Sequence, residues 1–376
     1  MAEPLKNFFN SNTVAQIGAM IAHAYPPFEL AQFTRAAGRG LEELELLPRG
    51  WHIAHALKRF LPADFESAAG ILKASLGERL PATENNGMMP FLYLPHVFYV
   101  AEYGRDHLEA ALDLQYELTK RFSAEYSMRV FIERYPAQTL ARLRLWARDP
   151  DVHVRRLVSE GTRPRLPWAP RLRQLQRDPT PVLELLELLK DDPELYVRRS
   201  VANNLNDIGK DHPDILFETC RRWSQDATPE RAWLIKHALR SAIKRAETGA
   251  LEVLGFHHAP AVTISNVKFS PRDPVIGESL RLSFEVASEG RRQQSLLVDV
   301  RVHFVKADGG TRPKVFKLKT VALATRASAT FNTTIGLRQL TTRKHYPGKH
   351  HVEVMINGVA FPIGSFSLKA RAQVKS

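Results

Sequence analysis

Apolar positions in the first 245 residues recur three and four apart, the spacing that gathers them on one face of a helix. Phe65 to Leu80, His107 to Phe122 and Pro136 to Ala147 read this way, with short polar or proline-bearing joints between such stretches. After Ala246 the period changes. Leu280–Val286, Leu296–Val305, Lys314–Leu318, Ala329–Ile335 and His351–Ile356 interleave branched or aromatic residues with polar ones, the alternation of strands. Ile356-Asn357-Gly358-Val359 signals a tight hairpin, because Asn and Gly accept the positive φ of a type I′ turn, and Ala307-Asp308-Gly309-Gly310 is a second turn. About seven short strands of this kind predict an immunoglobulin-like sandwich. Gly255 to Pro260 reads as the linker into it.

One stretch of the helical part is written twice. Asp149-Pro150-Asp151-Val152-His153-Val154-Arg155-Arg156-Leu157-Val158-Ser159 returns 43 residues later as Asp192-Pro193-Glu194-Leu195-Tyr196-Val197-Arg198-Arg199-Ser200-Val201-Ala202. That interval falls within the about 40–47 residues of HEAT-type helical pairs. Proline in the first turn with acids beside it starts each copy, and the Val and Leu positions bury one face. A weaker third copy begins at Thr228-Pro229-Glu230. The sequence therefore predicts a multidomain chain: an all-α HEAT-like helical repeat superhelix over residues 1–255, then an all-β immunoglobulin-like sandwich over residues 256–376. Stacked helical pairs curve and offer a concave surface.

Charge follows the same division. Of a formal net charge of +13, residues 259–376 hold 19 Lys+Arg against 7 Asp+Glu, and the first 258 residues are close to neutral. Within that neutral part, residues 141–180 collect ten arginines and no lysine against four acids. Planar guanidinium forks suit phosphate. A basic balance also serves solubility, but two separate basic regions turn the reading toward nucleic acid. Cys220 is the single cysteine, which excludes an intrachain disulfide and a thiolate metal cluster. The N-terminus lacks a basic stretch followed by an apolar run, and no window approaches a membrane span. A cytoplasmic chain without a membrane partner is expected.

Spacing offers no metal site, since His52 and His55, His257 and His258, and His345, His350 and His351 come without the carboxylates or cysteines of a ligand set. No phosphate-cradling glycine loop and no Gly-x-Ser-x-Gly elbow occurs. What remains is Ser159-Glu160-Gly161-Thr162-Arg163-Pro164-Arg165-Leu166-Pro167-Trp168. At the repeat interval Glu160 faces Asn203, so an acid stands where the sister copy has a neutral amide. Just before Gly161, the expected helix C-cap, that acid meets the negative end of the helix dipole, and stability alone would not choose it. It is either a chemical group or the ion-pair partner of Arg155, Arg156 or Arg163. Trp168, between Pro167 and Pro170, either presents its indole from a loop or fills a ridge between helices. Glu125 follows Ser123, an expected N-cap, and reads on spacing as a first-turn acid. Asn203, Asn204, Asn206 and Asp207, with Arg199, either grip a phosphate backbone or cap their helix. Asp211-His212-Pro213-Asp214 starts the next one.

Four segments together resemble the AlkC branch of the AlkC/AlkD bacterial DNA glycosylases, HEAT-like proteins that remove alkylated bases. They are Met1-Ala2-Glu3-Pro4-Leu5-Lys6, Ser123-Ala124-Glu125-Tyr126-Ser127-Met128-Arg129-Val130-Phe131, Val154 through Trp168, and Trp233-Leu234-Ile235-Lys236-His237-Ala238-Leu239-Arg240. The resemblance covers about two thirds of the chain, and some members carry an appended immunoglobulin-like domain similar to the basic sandwich read above. Val130 stands where the family leads one to expect proline, a departure placed at a helix start.

The resemblance implies hydrolysis of the N-glycosidic bond of cationic bases, chiefly 3-methyladenine and 3-methylcytosine, by a monofunctional, metal-independent and cofactor-free enzyme. A cationic base leaves without a general acid, so the enzyme needs to stabilise an oxocarbenium-like sugar and position water, which a carboxylate does. An indole face adds a cation–π contact. By resemblance Glu160, Glu125, Trp168 and Arg156 form the catalytic set. The DNA-binding set is Arg155, Arg163, Arg165, Arg199, Asn203, Asn204, Lys236 and His237, with Lys344, His345, Lys349 and His350 from the sandwich loop Arg343 to His350. The partner is double-stranded DNA held by a monomer while the base stays in the duplex. The alternative is a non-catalytic HEAT-repeat protein that binds DNA or serves as an adaptor.

Overall fold

The structure, a computed structural model, describes residues 4–245, 247–256, 260–340 and 344–370. Met1-Ala2-Glu3, the His257–His258 pair and Arg343 lie outside the described residues. Within them the helical period yields α1 (Ser11–Ala24), α2 (Leu30–Gly38), α3 (Leu46–Phe60), α4 (Phe65–Ala74), α5 (Leu94–Tyr103), α6 (Leu108–Thr119), α7 (Glu125–Arg134) and α8 (Pro136–Trp146). The chain continues through α9 (Val152–Gly161), α10 (Arg173–Arg177), α11 (Thr180–Leu189), α12 (Leu195–Ile208), α13 (Pro213–Ser224), α14 (Pro229–Ala238), α15 (Arg240–Lys244) and α16 (Thr248–Val253). No helix among the described residues is long and apolar enough to cross a membrane.

The stretch Phe65–Leu80 stops helical hydrogen bonding early. Beyond Ala74 the amide of Gly77 donates to the Tyr93 hydroxyl and that of Leu80 to the Lys120 carbonyl, so these donors leave the helix ladder for tertiary partners. The repeat is a repeat of helix starts: α9 begins at Val152 and α12 at Leu195, 43 residues on. The prolines do not sit in the first turn, however. Pro150 and Pro193 precede the capping residues Asp151 and Glu194, and the Asp151 carboxylate accepts from the His153 amide. In each copy the following arginine reaches back to the turn. Arg155 donates to the carbonyls of Asp149 and Pro150, and Arg198 to those of Asp192 and Pro193. Helices α9, α12 and α14 pack side by side, the third copy included.

Copy and copy end differently. Helix α9 stops at Gly161, capped by Thr162, because Arg163 precedes Pro164 and a residue before proline is disfavoured in helix. The expected cap at Gly161 is therefore off by one residue. Gly161 serves packing instead: a Cβ there would lie 3.2 Å from Met128 Cγ on α7. In α12 the matching pair is Asn206-Asp207, and the helix continues to Ile208.

In the second unit, strands β1 (Val262–Ser270), β2 (Ser279–Ser288) and β5 (Ser328–Gly336) form one antiparallel sheet in the order β1-β2-β5. Strands β3 (Gln294–Val305), β4 (Thr311–Leu323), β6 (Gly348–Ile356) and β7 (Val359–Leu368) form the other, in the order β4-β3-β6-β7. Alternate residues such as Leu282, Phe284, Val298, Val300, Val354 and Phe366 meet in a buried core between them. Asn357 and Gly358 turn the last hairpin at φ 48° and 82°. The Asn357 side chain also accepts from the Leu297 amide and donates to the Ser295 carbonyl, which ties the turn to β3. The chain divides into compact units between Leu239 and Arg240, so that α15 and α16 go with the sandwich, ahead of the linker read from composition at residue 255.

Candidate active site

The site starts from the first residue of α7. Ala124, not Ser123, occupies the N-cap position and makes no side-chain cap. Ser123 instead donates its hydroxyl to Glu125 Oε2 at 2.6 Å. Arg156 of α9 donates to the same oxygen at 2.8 Å and to Ser123 Oγ at 3.0 Å. Both bonds fall on Oε2; among the described residues Oε1 of Glu125 accepts none, and the side chain is 27% exposed. Val130, read as a departure at a helix start, lies in the middle of α7, half-buried against the core.

Arg156 joins two acids. Its other terminal nitrogen lies 3.4 Å from Glu160 Oε2, and its guanidinium stands over the Tyr196 ring at 5.1 Å. Burial works against the charge on Arg156, but Glu160 and Glu125 raise its pKa well above the ordinary value. Glu160 is itself buried, at 4% exposure. It accepts from Arg163 at 2.6 Å and from the Ser200 hydroxyl at 2.6 Å. Burial disfavours its carboxylate, yet Arg156, Arg163 and the Ser200 bond outweigh that and hold it below the usual carboxylate range. The ion-pair reading of Glu160 is thus realised with Arg156 and Arg163, whereas Arg155 goes to Asp192.

Trp168 stands at φ +62°, a left-handed conformation costly to a residue with a Cβ, and is 62% exposed. It does not fill a ridge. With Pro167 and Ala169 it forms part of the wall of a cavity of about 240 Å³, and Glu125 and Ser123 line the same cavity. Arg129, buried on α7 one turn after Glu125, holds that loop in place by donating to the carbonyls of Arg163 and Pro170, both at 2.7 Å. Its burial brings its pKa down to about 10. Sequence reasoning passes over Arg129, although it lies in the Ser123–Phe131 segment that carries the family resemblance. It passes over Ser200 as well, and there the repeat holds the signal: Ser200 stands where the first copy has Leu157. Asp207, read as a phosphate grip or a helix cap, instead takes Arg163, at the position where the first copy has Pro164.

The arginines expected to bind DNA are largely committed to acids. Arg155 pairs with Asp192, Arg163 with Glu160 and Asp207, and Arg165 with Asp211. Asn204 is buried and donates to Ser159 O and Thr162 Oγ1, so it satisfies the end of α9 and is not on the surface. Arg199 is half-exposed and meets Glu84 at 2.6 Å. Asn203 Oδ1 lies 3.2 Å from His237 Nε2, His237 stacks on Trp233 with centroids 4.9 Å apart, and Lys236 is exposed. Exposed and without an ion pair among the described residues are Arg148, Arg171, Arg173 and Arg177 of the same segment.

In the sandwich loop, Lys344 and Lys349 are exposed but His345 and His350 are buried, with both rings against Phe304 and that of His350 also stacked on Phe366. His350 points into the β-core because it follows exposed Lys349 on the alternating strand β6, whereas His345, ahead of that strand, is covered by packing on Phe304. Lys344 instead joins Lys306, Arg312, Lys314 and Lys317 around a cleft of about 1090 Å³ at the edge strand β4. Lysine on an edge strand also discourages strand pairing between molecules. Among the described residues no group of three or more His, Cys, Asp or Glu is arranged to hold a metal ion.

Comparison with known proteins gives three findings. Residues 263–370 match the family model described as "Uncharacterised protein YhaZ, C-terminal Ig-like domain". The Uncharacterized protein YhaZ of Bacillus subtilis (strain 168) is 34% identical over 355 residues, covering 94% of this chain and 96% of that one. The solved structure of the Pseudomonas fluorescens alkylpurine DNA glycosylase AlkC, bound to DNA containing an abasic site analog, superposes with a TM-score of 0.84 at 37% identity. It covers 98% of this chain and 100% of that one.

Proposed function

This chain belongs to the AlkC branch of the AlkC/AlkD HEAT-like DNA alkylation repair family, with its C-terminal immunoglobulin-like domain, and from that premise we propose that it is a DNA glycosylase of cationic alkylated bases. Its substrates are 3-methyladenine and 3-methylcytosine in duplex DNA. The observation that carries the reading is the meeting of the Glu125 carboxylate and the Trp168 indole on one cavity wall, with Arg156 linking that carboxylate to buried Glu160.

The chemistry is hydrolysis. As the glycosidic bond lengthens, its electron pair neutralises the cationic base, and positive charge grows on the sugar. The Oε1 atom of Glu125 faces that charge and accepts a proton from the attacking water. Trp168 offers its ring face to the cation, a contact worth about 0.5–2 kcal/mol. Glu160 is a positioning residue in this scheme: it is too enclosed to meet the sugar, and with Arg156 it fixes the rotamer of Glu125. The base stays in the stack.

Double-stranded DNA is held through its phosphates. Arg148, Arg171, Arg173, Arg177, Arg199 and Lys236 serve on the helical unit, and Lys306, Arg312, Lys314, Lys317, Lys344 and Lys349 on the sandwich, each acting as a backbone contact without sequence information. The protein works as a cytoplasmic monomer, without metal or cofactor. The test is release of free base from methylated duplex DNA in the presence of a chelator, wild type beside Glu125→Gln. Released 3-methyladenine that the variant abolishes, with DNA affinity retained, is the expected result. Salt-sensitive binding without any release by folded wild type overturns the enzyme and leaves a DNA-binding protein.

A further inference from the structure

One of the arginines assigned to phosphate is already occupied. Arg199 stands in α12 where the repeat places Arg156 in α9, 43 residues earlier, and the two helices pack side by side. Each of these sister arginines donates to a carboxylate from outside the repeated motif, Arg156 to Glu125 at 2.8 Å and Arg199 to Glu84 at 2.6 Å. Their commitments differ. Arg156 is enclosed and meets two acids, whereas the Arg199 and Glu84 side chains are 42% and 53% exposed. Among the described residues Arg199 makes one hydrogen bond, through one terminal nitrogen, so much of its guanidinium fork stays open to a second acceptor.

Glu84 belongs to the segment that joins α4 to the short 3-10 turn Met89–Tyr93. This segment is fixed at both ends and loose between them. At one end the Gly77 amide donates to the Tyr93 hydroxyl, the Leu80 amide to the Lys120 carbonyl, and Arg121 Nε to the Gly77 carbonyl at 2.8 Å. At the other, Phe91 packs on Phe122 with ring centroids 5.3 Å apart. Between Leu80 and Met88 no backbone-to-backbone hydrogen bond is made among the described residues. A stretch without such bonds opens at little cost. It also has room to move. A groove of about 1090 Å³ is lined by Glu84, Asn86 and Met89 of the segment together with Gln16, Met20 and His23 of α1. Movement into that groove covers Met89, which is 54% exposed.

We infer that residues 81–88 form a strap whose Glu84 stands in for a phosphate on Arg199 in the free protein and is displaced when DNA binds. The inference rests on the reading of Arg199 as a phosphate contact. A phosphate oxygen takes the open part of the guanidinium fork first, and Glu84 leaves as the second, charge-assisted bond forms. The carboxylate stays tethered nearby, so it competes for Arg199 at a high effective concentration whenever the phosphate lets go. The strap therefore weakens the hold on duplex DNA and hastens release of the abasic product. Arg156 and Arg199 divide the labour: one keeps its acid permanently, and the other exchanges it.

The experiment uses the full chain and a duplex carrying an abasic-site analogue, with affinity and dissociation rate measured at an ionic strength of about 0.1 M, where charges more than about 10 Å apart are largely screened. Glu84→Gln is expected to tighten binding by about 2- to 5-fold, the contribution of an exposed ion pair expressed as an affinity ratio, and to slow dissociation by a similar factor. Glu78→Gln removes an equal charge from an exposed position of the same segment, one that makes no ion pair among the described residues, and is expected to change either quantity by less than about 1.5-fold. Arg199→Gln alone is expected to weaken binding, and in that background Glu84→Gln should have no effect. These positions are exposed or half-exposed, so folding is little at stake, and urea midpoints check it. Binding by Glu84→Gln no tighter than by Glu78→Gln overturns the inference, as does a gain that survives in the Arg199→Gln background. Weaker binding by Glu84→Gln overturns it too and makes Glu84 a brace that presents Arg199 to DNA. If Arg199→Gln binds as wild type does, Arg199 is not a phosphate contact and the inference falls, while base release, measured separately, decides the glycosylase reading.

Discussion

Helices α9 and α12 descend from one motif, and the two copies have opposite duties. In α9 the positions after the shared Val-Arg-Arg carry Glu160, Gly161 and the break at Pro164, which together free a loop for Trp168. In α12 the same positions carry Asn203, Asn204 and Asp207, and the helix runs on. The second copy holds the first: Ser200 and Asn204 bind Glu160 and the end of α9, and Asp207 takes Arg163. On the proposed reading, a repeat thus separates the site from its support by changing a handful of residues on one face, while the gripping arginines Arg155 and Arg198 keep the turns alike.

The comparison breaks most severely at the acid. Glu125→Gln is expected to lower excision by about 10²–10³-fold, the effect of removing one preorganised electrostatic group, with unchanged affinity in a DNA-binding titration. Asn203→Ala, at the second-copy position that matches Glu160, should leave excision within about threefold. Next comes the support. Arg163→Met takes one cation from two buried carboxylates, Glu160, which keeps Arg156 and Ser200, and Asp207, which keeps Lys210, and should reduce unfolding free energy in urea by about 1–3 kcal/mol. An unchanged urea midpoint would mean that α12 does not hold α9 through this pair.

Acid should sharpen the same contrast. Folding lowers the Glu160 pKa, so its contribution to stability is complete above the ordinary value of 4.5 and is lost as pH falls through the lower folded value. The urea midpoint of wild type is expected to decline more steeply below that pH than the midpoint of Glu160→Gln. The smallest effect belongs to the sandwich. Changing Lys306, Lys314, Lys317 and Lys344 to Gln should weaken binding to any duplex and flatten the dependence of affinity on salt, by a slope of about 0.9 for each phosphate no longer neutralised, with the rate at saturating DNA preserved. An unaltered slope would assign those lysines to edge protection alone.

How far the sequence revealed this depends on what each residue answers to. The two architectures were legible because burial imposes its period over many residues, and the Asn357-Gly358 turn because few residues accept positive φ. The helix starts at Val152 and Leu195 followed from the repeated motif, but the cap did not, since Asp149, on the other side of Pro150, offers the same carboxylate as Asp151. The arginines were visible as a cluster, and their availability was not. Whether Arg155 faces solvent depends on Asp192, which lies 37 residues away and pairs only after the stack forms. His345 and His350 misled for a similar reason: beside lysines they read as surface, while the alternation of β6 sends His350 into the core and packing on Phe304 covers His345.

The left-handed backbone at Trp168 sets activity against durability. Any residue with a Cβ at that position costs about 1–2 kcal/mol relative to one without, whatever its ring contributes to the reaction. Glycine there would make the protein harder to melt and poorer at repair. On the proposed reading, a lineage that retains tryptophan does so for what the indole does in the presence of substrate, and a screen for heat resistance alone would discard it first.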